Sequence, residues 1–137
     1  MKIRELMEHY SFAKADVERV WSEINHVCFD GTLDRPTFVI EDDLNHLYPG
    51  LAEGKDTLGH CDEDPDDGAI VILLSRKIES AKELIAVLAH EMVHQSLAQE
   101  FGYAAMLKIG HGPLFSQHAV SIRLYHNTPL LDREFGG

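Results

Sequence analysis

The stretch from Ser80 to Gly102, SAKELIAVLAHEMVHQSLAQEFG, constrains the chain most. Ser80 followed by Glu83 has the spacing of a capping box, in which the hydroxyl and the carboxylate satisfy amide groups left unpaired at a helix start. Leu84, Ile85, Val87, Leu88 and Ala89 then make the helix apolar nearly all round, so the spacing predicts a helix running through the interior. Gly102 is the expected stop, because glycine adopts the left-handed conformation at a helix end without steric cost. Inside this apolar helix lie His90, Glu91 and His94, an HExxH pattern.

Residues four apart on a helix lie one above the other, so His90 and His94 can aim their imidazole nitrogens at one zinc ion. Glu91, one step round, falls beside that point. From there its carboxylate can take a proton from zinc-bound water and hand one to a leaving amine. HExxH arises by chance in about one chain in twenty of this size and composition, so the pattern needs context. The context is burial: two histidines and a glutamate in the most apolar helix of the chain need a compensating partner, since unpaired buried polar groups are costly.

The chain has 137 residues, enough for one domain, 1–137, with a sizeable core. Apolar and charged contents of 45% and 26% are ordinary for a globular protein. The formal charge of −11 is not ordinary. It disfavours direct binding to nucleic-acid phosphates or anionic membranes and favours a basic protein or peptide as substrate. Two cysteines without a CxxC pair, Cys28 and Cys61, exclude a disulfide framework and a Cys-rich zinc ribbon, and buried free thiols are expected. The start, MKIRELMEHY, lacks the apolar core of a signal peptide, and no stretch approaches the ~18 apolar residues of a membrane span. A cytoplasmic location is the expectation.

Ser11 is positioned to cap a helix from about Phe12 to Phe29, where Ala13, Val17, Val20, Trp21, Ile24 and Cys28 form one apolar stripe that reads as core. Asp30-Gly31 ends it, and His26 near that end reads as a surface or capping side chain. Pro36 opens a short strand-like run over Thr37 to Ile40, followed by a loop through Tyr48-Pro49-Gly50 and Gly54. Thr57 to Cys61 and Ala69 to Leu74 read as two more strands joined by a turn from Asp62 to Gly68, the second strand well buried. In the acidic turn, Asp62, Asp64 and Asp66 fall at alternate positions as in a calcium loop. Asp67 and Leu73 stand where that loop needs Gly and Glu, so the turn reads as solvated.

A catalytic zinc takes three protein ligands and keeps one position for water. After a segment read as loop, Tyr103 to Gly110, His111-Gly112-Pro113 starts a further helix to about Leu124, and His111 falls just ahead of its first turn. His111 is the best third ligand. Of its rivals, Glu100 lies roughly 240° round the helix from His94. His118 is two turns along the next helix, where packing or support of a ligand suits it better, and His126 has no spacing argument. Tyr103 and Tyr125 are the phenols available to stabilise an oxyanion, although each reads more simply as a packed aromatic.

HEMVH followed by GHGPLF resembles the SprT-like metallopeptidase domain, the protease module of Spartan, which pairs HExxH with a downstream HGxxF/W carrying the third zinc-ligating histidine. Asn25 to Pro36, NHVCFDGTLDRP, is similar to the family's segment in which a helix ends in an aromatic and a G-x-L-x-x-P turn follows, and the tail SIRLYHN is similar as well. The resemblance covers roughly Val20 to His126. It implies an α+β, zincin-like metallopeptidase domain with a small, mostly antiparallel sheet packed on helices and HExxH on the central helix. It also implies one catalytic Zn2+ held by His90, His94 and His111, with Glu91 as the general base of an endopeptidase. The chain carries neither the zinc ribbon nor the basic segment found in many such proteins, and the role in DNA repair does not follow. A strand beside the site, with Ala69–Leu74 as the first choice, is expected to take extended substrate by β-addition. The alternative from another class is a zinc-stabilised adaptor that keeps the fold without turnover.

Overall fold

The computed structural model describes residues 14–45 and 57–121. The cap at Ser11, the loop through Tyr48 and Gly54, Tyr125 and His126 lie outside the described residues. Seven elements follow in order: α1 (Lys14–Phe29), β1 (Thr37–Glu41), β2 (Gly59–Glu63), β3 (Ile70–Ser75), α2 (Ala81–Phe101), α3 (Tyr103–Ile109) and α4 (Pro113–Ser121). The architecture is α+β, with helices packed on one small sheet.

Helix α1 buries Val17, Val20, Trp21, Ile24 and Cys28 of the stripe that its spacing predicts, with Phe29 beside them, while Ala13 lies outside the described residues; both cysteines are buried free thiols. His26 is exposed in its last turn. The helix closes through Asp30 and Gly31, both at positive φ, with the Gly31 amide donating to the Asn25 carbonyl at 2.9 Å. The loop that follows is fastened by side-chain amides. Asn25 both donates to and accepts from the backbone of Leu33, while Gln95 and Gln99 of α2 reach Asp34 and Thr32.

The sheet has the order β1-β3-β2 and is mixed rather than mostly antiparallel. β1 pairs with β3 in parallel, Thr37 opposite Val71, and β2 pairs with β3 antiparallel, Gly59 opposite Leu74. The antiparallel pair is a local hairpin whose turn is tied by its own aspartates: the Asp64 and Asp67 carboxylates accept from the Asp66 and Ala69 amides. The apolar run of β3 lies in the centre, its residues Ile72 to Ser75 all buried. Both edges of β3 are therefore taken, which overturns its reading as a strand that adds substrate. Among the described residues the open edges belong to β1 and β2.

Helix α2 buries residues all round, including Leu84, Leu88, Met92, Val93 and Leu97. Its start differs in one bond from the expected capping box. The Ser80 hydroxyl accepts from the Glu83 amide as predicted, but the Glu83 carboxylate takes the Glu79 amide rather than that of Ser80. Its end differs too. Gly102 has φ 96° and ψ 153°, a glycine conformation outside the left-handed helical well, and it leads directly into α3 where a loop was expected. Seven residues between two glycines are too few to show a helical period. Gly110, at φ 52°, ends α3, and Pro113 begins α4 at its first position as predicted. Two glycine breaks thus fold α2, α3 and α4 back on one another.

Candidate metal centre

This folding-back brings His111, on the exposed turn between α3 and α4, onto the face of α2 that carries His90 and His94. The His111 Nε2 lies 3.1 Å from the His90 Nε2 and 3.0 Å from the His94 Nε2. These three side chains form the group, among the described residues, that could hold a metal ion. Two nitrogens each ~2.1 Å from a tetrahedral zinc are about 3.4 Å apart, so the cluster need open by only a few tenths of an ångström to accept one. Proton bookkeeping points the same way. Three neutral rings that converge through the same nitrogen cannot each donate to a neighbour's lone pair, whereas a cation at the centre accepts all three lone pairs.

Burial favours the neutral rings that metal ligation requires. Burial, and then His111, pushes His90 below its ordinary range. Burial, followed by His90, His111 and His60, takes His94 down to about 3. The His94 Nδ1 is buried and has no hydrogen-bond partner among the described residues.

Glu91 is 5% exposed, and its Oε2 is buried without a hydrogen-bond partner among the described residues. Burial raises its carboxyl to about 8. It packs toward β2, where the Cys61 thiol is pushed upward by its own burial and then by Glu91 and Asp62. A carboxyl of this kind exchanges a proton near neutrality instead of remaining a fixed anion.

Two of the rival ligands, His118 and Glu100, are engaged with each other. His118 of α4 faces Glu100 at 3.4 Å and the Ser96 hydroxyl at 3.3 Å, so the two side chains clip α4 to α2 away from the three imidazoles. The Tyr103 hydroxyl donates to the Asp62 carboxylate at 2.8 Å, tying α3 to β2.

Sequence reasoning gave no role to two contributors, although one of them, Phe115, closes the HGxxF pattern. The buried ring of Phe115 lies with its centre 5.0 Å from His90, 4.6 Å from His94 and 5.0 Å from His111, a common floor for all three. Its position, four residues after His111 across the start of a helix, was the available signal. His60 on β2 is half-buried, its own pKa lowered by burial against the opposing pull of Asp62. No spacing in the sequence links it to His94.

Compared with family models, curated proteins and solved structures, the chain matches none of them. The resemblance to SprT-like domains rests on the residues quoted above.

Proposed function

We propose that the chain is a zinc-dependent endopeptidase in which His90, His94 and His111 hold the ion and Glu91 is the general base. The observation that carries this reading is the buried carboxyl of Glu91, one oxygen without a partner among the described residues, on the helix turn of His90 and His94 where the His111 imidazole converges with theirs. A purely structural ion has no use for a titratable carboxyl at such a cost in burial. Three protein donors also leave the vacant position that hydrolytic zinc sites keep.

A zinc ion bound there supplies Lewis acidity toward a carbonyl oxygen and lowers the pKa of a water. The protein does the rest. The His90 and His94 rings stay neutral at pH 7 and keep their lone pairs for the ion. Glu91 accepts a proton at its free oxygen and, at a pKa near neutrality, releases it to the leaving amine. Substrate class follows from the neighbouring strand. β2 has an open edge, packs against α2 beside Glu91, and carries Asp62 and Glu63 into a turn with Asp64, Asp66 and Asp67. An extended, basic polypeptide suits that edge better than any other substrate class.

The test is cleavage of an unfolded, basic protein by the zinc-loaded chain beside Glu91→Gln. Cleavage by the native chain alone is the expected outcome, with zinc stoichiometry equal in both. Zinc bound by both with no cleavage by either would instead favour the non-catalytic adaptor. Equal cleavage by both would remove Glu91 from the reaction.

A further inference from the structure

A side chain at position 59 would collide with Val87 and press on the stem of Glu91. A Cβ built on Gly59 would stand 3.2 Å from the Glu91 Cγ and 3.6 Å from its carboxyl carbon, and only 2.6 Å from the Val87 Cγ1. Val87 and Glu91 are one helical turn apart and share the face of α2 that meets β2. Gly59 needs no unusual backbone: it sits in a regular strand, opposite Leu74. Its lack of a side chain therefore serves close approach. The strand backbone lies directly against the helix at the level of the carboxylate.

We propose that Gly59 is a positioning residue for Glu91: the notch it leaves in β2 is the slot in which the Glu91 carboxylate is seated. The consequence for catalysis rests on the peptidase reading above. The slot itself does not. With the notch open, the Glu91 stem has room against the β2 backbone, and this seat fixes where its free oxygen stands relative to the three imidazoles. With the notch filled, the stem is displaced, while the three imidazoles are not among the nearest atoms that a Cβ at position 59 would meet. Cys61 on the same strand is also buried, and it reports whether β2 has kept its place on the helix.

Gly59→Ala alone would confound two effects, because the contact with Val87 is too short to accommodate and a β-branched helical side chain has no room to rotate. In a Val87→Ala background that obstacle is gone, and the contacts left to the new methyl within 3.6 Å are with Glu91. The experiment therefore compares Val87→Ala with Gly59→Ala/Val87→Ala, first without metal. A water-soluble carbodiimide with an amine nucleophile labels accessible carboxyls, iodoacetamide labels accessible thiols, and mass spectrometry locates both. The expected result is that Glu91 loses its protection in the double variant while Cys61 keeps it. With zinc, the stoichiometry should stay the same and kcat on a basic peptide should fall by up to about a hundredfold at constant KM, as for a displaced catalytic group. Continued protection of Glu91 would overturn the proposal. So would exposure of Cys61 together with Glu91, because Gly59 would then only be holding the strand to the helix. If the native chain cleaves nothing, the labelling still decides the role of Gly59, and the failure counts against the peptidase reading alone.

Discussion

At the scale of single residues, the centre depends on groups that never face a ligand's lone pair. Phe115 is the clearest. It packs against all three imidazoles and is itself buried, so it sets both their spacing and the docking of α4. Phe115→Ala removes that floor. We expect a loss of about 3–5 kcal/mol in unfolding free energy, the usual cost of emptying a core phenylalanine site. Phe115→Leu should recover most of that stability, since it keeps apolar volume, but not the flat ring surface. Its zinc affinity, measured by competition with a chromophoric chelator, should remain about 10–100-fold below native, the range seen when groups supporting metal ligands are lost. Native affinity in Phe115→Leu would show that apolar volume suffices and that the ring does not orient the histidines.

At the scale of elements, what could be read from the chain was whatever one helix or one turn settles locally. His90 and His94 share a face because helical geometry puts them there, and His111 falls before a helix because Gly112-Pro113 starts one. The position of Gly59 opposite Glu91, the electrostatic reach of His60 to His94, and the central place of β3 are set by packing between elements, for which the chain carries no periodic signal. The amide network of α2 is of the same kind. Gln95, 1% exposed, accepts from the Trp21 indole at 3.1 Å and donates to the Asp34 carbonyl at 2.6 Å, thereby joining α1 and the following loop to the helix turn beyond His94. Gln95→Leu leaves the indole N–H buried without an acceptor, at a cost of about 1–3 kcal/mol. Adding Trp21→Phe removes the stranded donor as well, so part of that loss should return, measured by urea unfolding of the metal-free chain. If Gln95→Leu alone unfolds at the native midpoint, the network contributes nothing to holding α2.

At the scale of the whole molecule, the fold carries a site that opposes its own stability, and the sign of that opposition depends on pH. The His94 ring falls from 6.5 to about 3 on folding, and His90 and His60 are lowered as well. The unfolded chain therefore binds protons there that the folded chain refuses, and stability rises with pH up to about 6.5. Glu91 acts in the opposite sense. Its carboxyl rises from 4.5 to about 8 on folding, so the folded chain keeps a proton that the unfolded chain releases, and stability is lost as pH climbs from 4.5 to 8. Below 6.5 three histidines outweigh one glutamate. Above it the histidine share fades and Glu91 comes to dominate. The metal-free chain should accordingly be most stable close to neutrality and lose no more than about 1.5 kcal/mol by pH 8, where Glu91 is half ionised and the fading histidine contribution still opposes it. Glu91→Gln has nothing to ionise, so its unfolding free energy should not fall across the same interval and should rise slightly as the histidine contribution completes. Urea titrations of both chains at pH 6.5, 7.2 and 8 separate the cases. A native decline that survives in Glu91→Gln would place the responsible group elsewhere in the fold and leave the buried carboxyl ionised throughout.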